Sequence, residues 1–155
     1  MSVCCFTGHR DLGGKTRQVY DRLCLQVAAC ARAGYEEFRA GGALGFDTVA
    51  AMAVLETKKQ YPHIRLVLYI PCRQQDSSWR PKDRERYRKI MDMADEVKVL
   101  SEQYYRGCMF VRNRALVDGS DLCIAYLKQM KGGTKMTVDY ANKQQVTVMN
   151  LGDEL

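Results

Sequence analysis

The chain has 155 residues, enough for one compact domain with a proper core. Its 24 basic against 18 acidic residues give a net charge of +6, which favours anionic partners such as nucleotides or nucleic acid without choosing between them. No apolar run approaches membrane-spanning length and no charged start precedes a long apolar core, so a cytoplasmic setting without membrane contact is expected.

Residues 3–6 form a short apolar run ended by Thr7-Gly8, read as a central first strand with His9 and Arg10 at its carboxyl end. After a Gly13-Gly14 loop, residues 16–33 carry Val19, Leu23, Val27 and Ala31 at steps of four, one face of a helix that Gly34 ends. Residues 37–40 are a weak second strand. The turn Gly41-Gly42-Ala43-Leu44-Gly45-Phe46-Asp47 then leads into a second helix with Val49, Ala50, Ala53 and Leu55 inward and Lys58 and Lys59 at its end. Residues 64–70 are a third strand, closed by Pro71 and followed by a polar loop over 72–78.

Residues 79–94 read as a helix with Pro81 in its first turn and Tyr87, Ile90, Met91 and Ala94 as its apolar stripe. Its cations, including Arg84 and Arg88, are interleaved with Asp83 and Glu85, the pattern of a solvated face. A fourth strand follows over 96–100 and a short helix over 107–117 carrying Arg112, Asn113 and Arg114. Then come a fifth strand at 122–126, a Gly132-Gly133-Thr134 turn with Thr134 capping a helix to 143, and a last strand over 146–151.

Alternating apolar strands and helices with short gaps predict one Rossmann-like α/β domain over residues 1–151, with 152–155 as a tail. The sheet is expected to be mostly parallel, of about six strands, with helices on both faces. A central first strand sets strands one and five side by side, and the crevice at that switch point is where such sheets bind ligands.

Three glycine-bearing loops follow strand ends, and each can bring backbone amides close to a phosphate. The expected phosphate and ligand contacts are Thr7, Gly8, His9 and Arg10, then Gly41, Gly42, Gly45 and Asp47, then Arg112 and Asn113, then Gly132, Gly133 and Thr134. The competing reading is that these are merely tight turns. His9 titrates near neutrality and would donate to a phosphate. Arg10 would clamp a phosphate or join a surface ion pair. A buried Arg112 needs an anionic partner, either a ligand phosphate or Asp118 or Asp121. Gln74, Gln75 and Asp76 lie near the crevice, where they would contact a ribose. Trp79 and Tyr87 read as core, and His63 as a loop residue. The cysteines, Cys4, Cys5, Cys24, Cys30, Cys72, Cys108 and Cys123, contain no CxxC pair or zinc-finger spacing, so reduced thiols and no metal are expected.

Phe6-Thr7-Gly8-His9-Arg10, the turn from Gly41 to Asp47, Arg112-Asn113 and Gly132-Gly133-Thr134 with Tyr140-Ala141 resemble, in order and over nearly the whole chain, the YpsA-like branch of the SLOG superfamily. The resemblance implies a bacterial Rossmann-like domain related to the DprA and LOG families, binding a nucleotide or an ADP-ribose-like derivative. LOG relatives include phosphoribohydrolases with a Pro-Gly-Gly-x-Gly-Thr-x-x-Glu signature. Here Lys131 replaces the proline, Thr137 stands where the catalytic glutamate belongs, and Asn113 replaces the lysine that follows the matched Arg112.

The expectation is therefore a nucleotide sensor with no firm catalytic set and no firm cofactor beyond that ligand. A signalling partner and a homodimer are left open. The alternatives are an N-glycosidic hydrolase using Asp47 or Asp139, and a DprA-like single-stranded DNA binder using residues 80–89. The mixed charges there predict weak or absent nucleic-acid binding.

Overall fold

The structure, a computed structural model, describes residues 2–155. Strands β1 (Ser2–Gly8), β2 (Tyr35–Ala40), β3 (Arg65–Ile70), β4 (Glu96–Val99), β5 (Leu122–Tyr126) and β6 (Thr147–Asn150) alternate with five helices. These are α1 (Thr16–Arg32), α2 (Phe46–Lys58), α3 (Pro81–Met93), α4 (Cys108–Val117) and α5 (Gly132–Lys143). The sheet order is β4-β3-β2-β1-β5-β6, with every pairing parallel. Strands β1 and β5 are neighbours in the register Cys5↔Cys123 and Thr7↔Ala125, so strand order reverses at their carboxyl ends.

Strand alternation divides β1 between two cores. Cys4 and Phe6 point into the layer shared with Leu23 of α1, Ala50 of α2 and Ile90 of α3, while Cys5 points into the layer shared with Leu116 of α4 and Ala141 of α5. Helices therefore cover both faces. Phe6 lies 6.2 Å from Phe38 and 6.4 Å from Phe46 between ring centroids, all three fully buried. Burying one such ring contributes roughly 1.5–3 kcal/mol.

Three details differ from the sequence pattern. Strand β2 begins at Tyr35, because Ser2 pairs with it at the start of β1. On α2 Val54 is fully buried along with Ala50 and Ala53, whereas Leu55 is only half-buried. Helix α5 begins at Gly132, so the cap position is Lys131, and Thr134 lies buried in the first turn with no capping bond. The chain turns into this helix early because Gly132 takes a φ of +85° after an extended Lys131.

The carboxyl-terminal residues pack back on the domain. Leu151–Asp153 form a 3₁₀ turn with Leu151 buried, and Glu154 pairs with Arg22 of α1 at 2.9 Å.

Candidate functional site

Where β1 and β5 diverge, their loops and the start of α2 enclose a cavity of about 470 Å³. It collects Thr7, Gly8, His9, Arg10, Asp47, Arg112, Asn113, Gly132, Gly133 and Thr134 from four separate stretches of chain. Gln129 and Lys131 also line it. Neither is marked as a ligand contact by the sequence pattern, although both precede the glycine pair in the same strand-end loop.

Arg112 is the buried pivot. Its Nη1 donates to the carbonyls of Gly41 and, at 3.3 Å, Tyr69, and its Nε donates to Asn113 Oδ1 at 2.9 Å. Among the described residues its Nη2 has only the Met109 sulfur, at 3.8 Å. Neither Asp118 nor Asp121 is its partner: Asp118 accepts from Tyr140 at 2.6 Å, and Asp121 accepts from the backbone of Val3 at 2.7 Å. Neither Arg112 nor Arg10 has a carboxylate within 4.0 Å among the described residues. Arg10 is thus not the surface ion pair that its sequence allowed.

Asp47 is buried opposite Arg112 in the first turn of α2, accepting from Ala43 N at 3.3 Å. Burial pushes its carboxyl from 3.8 up to about 6, against the opposing pull of Arg112, the Ala43 amide and Arg10. The folded state then binds a proton more readily than the unfolded one between these two values. Stability is lost as pH rises from about 3.8 through about 6, by up to roughly 3 kcal/mol at about 1.4 kcal/mol per unit. Asp47→Asn should flatten this segment of a urea-denaturation profile taken from pH 4 to pH 7.

His9 is hydrogen-bonded at the strand end as well as lining the cavity. Its Nε2 accepts from the backbone amides of Lys128 at 2.9 Å and Gln129 at 3.1 Å, clasping the β5–α5 loop. That nitrogen is unprotonated and cannot donate to a phosphate, leaving Nδ1–H as the donor. Burial lowers the pKa of His9, in keeping with a neutral ring. The clasp is retained above the ordinary histidine pKa and lost as pH falls through the depressed one, so amide exchange at Lys128 and Gln129 should accelerate on acidification.

The glycines divide by what surrounds them. A Cβ on Gly133 would meet only Asn113 Nδ2, at 3.8 Å, and one on Gly132 would meet nothing within 4 Å, so both present backbone to open space. The unpaired N–H groups of the first turn of α5 accompany them, the usual environment of a bound anion. Gly8, in contrast, is held against the Phe46 ring, and Gly45 against the backbone of Arg10. Their smallness serves packing of the α2 turn on β1.

Other expected contacts lie elsewhere. Gly41 supports the site through the carbonyl that Arg112 binds, whereas Gly42 packs toward Ile70 and Tyr87. Gln75 is buried, bonded to Gly41 O at 3.4 Å and the Tyr87 hydroxyl at 3.3 Å, and is a support for Arg112 rather than a ribose contact. Asp76 pairs with Arg84 at 3.3 Å, and Gln74 is exposed. Asp139 is on the outer face of α5, exposed and paired with Lys135 at 2.5 Å. No group of three metal-ligating side chains occurs among the described residues, and none of their helices is long and apolar enough to cross a membrane.

The profile of the YpsA family, described as YspA SLOG, matches residues 9–151, which includes every segment of this cavity from His9 onward. The chain belongs to the YpsA family. It is 32% identical over 123 residues to a UPF0398 protein of Halalkalibacterium halodurans, covering 77% of this chain and 65% of that one. It is 31% identical over 118 residues to the SPbeta prophage-derived protein YoqJ of Bacillus subtilis, covering 68% and 69% respectively. The chain thus spans about two thirds of these relatives' length. Among solved structures, DNA processing protein A of Streptococcus pneumoniae superposes with a TM-score of 0.70 at 19% identity, over 96% of this chain and 49% of that one. The Helicobacter pylori protein, whose single-stranded DNA binding mode has been described, gives 0.68 at 20% identity over 95% and 63%. At those identities the similarity establishes the shared fold of this YpsA-family chain.

Proposed function

We propose that the protein binds a nucleotide or nucleotide derivative as a sensor, with a sugar phosphate held in the switch-point cavity. The observation that carries this reading is the pairing there of opposite chemistries. The open start of α5, Arg10 and the Nη2 of Arg112 all offer donors to an anion, and the buried Asp47 offers an acceptor suited to a sugar hydroxyl. Arg10 and Arg112, without carboxylate partners, are complementary to a phosphate.

AMP at 100 times its Kd should stabilise the wild type by about 2.7 kcal/mol. Gly133→Val places a branched side chain where the phosphate must approach, while the protein atoms around it leave room. It should keep a near-native melting temperature and lose the AMP-induced shift in differential scanning fluorimetry. An undiminished shift would move the site elsewhere.

A second reading rests on Asp47. A carboxyl raised to about 6 inside a cavity is matched to general-acid work near neutrality, as an N-glycosidic hydrolase would need. Asp139, the other candidate, is remote from the cavity. A binder releases no free base from AMP, GMP or IMP above background. Release that disappears in Asp47→Asn would replace the sensor by the hydrolase.

Nucleic-acid binding has less support, although DNA processing protein A shares the fold. On α3, Arg84 and Arg88 both approach Asp76, Lys89 pairs with Glu85, and Tyr87 is buried against Trp79 with ring centroids 5.0 Å apart. Arg80, Lys82 and Arg86 stay exposed without an ion-pair partner among the described residues, but the helix offers no open stacking rings beside them.

A further inference from the structure

Most of the large apolar side chains open to solvent among the described residues lie on α4, on α5 or in the loops that lead into them. Tyr104, Met130 and Met136 are each more than half exposed, and Tyr105, Phe110 and Val111 nearly half. Single exposed apolar residues are ordinary, whereas a collection of them marks a binding surface. At its centre is a groove of about 200 Å³ between the two helices. Phe110 and Arg114 of α4 form one wall and Met136 and Tyr140 of α5 the other, each pair one helical turn apart. Two such ridges side by side make the kind of channel into which a third helix lays its apolar anchors. Methionine is pliable enough to fit around the anchor that enters.

The charge around this groove has one sign. Arg106, Arg114 and Lys131 are exposed and have no carboxylate within 4.0 Å among the described residues. The acids of the same segments are engaged: Glu102 by Arg73, Asp118 by the Tyr140 hydroxyl and Asp139 by Lys135. We propose that this face docks a protein partner through an acidic amphipathic helix. Its apolar residues enter the groove and its carboxylates meet the surrounding cations. A second copy of this chain is a poor occupant, because a two-fold contact would set the same cations against one another. A single nucleic-acid strand would use those cations too. Yet the groove is walled by Met136 and by a Tyr140 ring that Arg114 already covers at 5.3 Å, so it seats an aliphatic anchor rather than a stacked base. Asn113 lines both the groove and the switch-point cavity, but the docking surface does not depend on what that cavity holds.

Selection from a display library of random peptides of about four helical turns tests it, with the wild type as bait and Phe110→Glu/Met136→Glu as counter-bait. Both positions are exposed, so the double variant should keep the wild-type urea midpoint. Peptides that need this face should be enriched in Asp and Glu, with Leu, Ile or Phe recurring at helical spacing. In fluorescence polarisation a peptide from that pool should bind Phe110→Ala at least tenfold more weakly than wild type. The charge reversal Arg106→Glu/Arg114→Glu should weaken it by at least as much. Selected peptides that are basic or uncharged, that lack helical anchor spacing, or that bind both variants as tightly as wild type would overturn the proposal. So would a selection that yields no peptide dependent on this face. Tighter binding of oligo(dT) than of the selected peptides, lost in Phe110→Glu/Met136→Glu, would replace the protein helix by nucleic acid. A dimer in sedimentation equilibrium that the same double variant dissolves would replace it by a second copy.

Discussion

Gly45→Ala should be the most destabilising single-methyl addition to this protein, by roughly 3–5 kcal/mol. Gly45 sits at φ 80° and ψ −122°, a region that side-chain-bearing residues rarely enter. Its added Cβ would also stand 2.2 Å from the carbonyl oxygen of Arg10 and 2.5 Å from the Arg10 Cα. These are backbone atoms, so no rotamer change relieves the overlap. Nor can the two segments separate easily, because Phe46 N donates to His9 O at 3.1 Å and the Phe46 ring stacks on Tyr126 with centroids 6.1 Å apart. Conformational strain of about 1–3 kcal/mol adds to an overpacking penalty of similar size, against a total stability of about 5–15 kcal/mol for a domain. A urea-denaturation midpoint within experimental error of wild type would show that the α2 turn is far more pliable than its contacts indicate.

Arg112→Ala should affect stability and ligand binding together. Truncation leaves the carbonyls of Gly41 and Tyr69 without their charged donor and removes the cation facing Asp47. Losing charge-assisted bonds to buried acceptors corresponds to roughly 2–4 kcal/mol. Without Arg112 opposing it, burial should push Asp47 still higher than about 6, which carboxyl NMR titration reads directly. Arg112→Lys should not restore the wild type, because one ammonium cannot reproduce a planar fork that reaches two carbonyls and Asn113 at once. Full stability in the lysine variant would mean that only charge is needed at this position.

The strands β1, β3 and β5 were legible because they are buried on both faces and read as continuous apolar runs. Strand β2 was faint for a specific reason. Glu37 and Arg39 are only slightly exposed and pair with each other at 2.6 Å inside the sheet layer, so charge interrupts an otherwise buried strand. The strand-end loops were legible from their glycines, but the task of each glycine was not. Gly8 and Gly45 answer to Phe46 and Arg10, neighbours that only the folded chain supplies.

The same distinction explains the individual site residues. His9 clasps amides 119 and 120 positions away, and Arg112 is held by backbone carbonyls, which carry no sequence signature. Asp139 had a readable warning in Lys135, four residues earlier on the same helix face. Thr134 lost its capping place because the glycine before the pair's second member starts the helix sooner than a hydroxyl cap would.

Amide NMR mapping of an AMP titration tests most directly whether a sugar phosphate occupies the cavity between the β1 and β5 loops. Saturable shifts should concentrate at Gly132, Gly133 and Thr134 and at Thr7 to Arg10, with Asp47 and Asn113 following along the same binding curve. Shifts confined to the outer faces of α3 or α5, or no saturable shift at any amide, would contradict it.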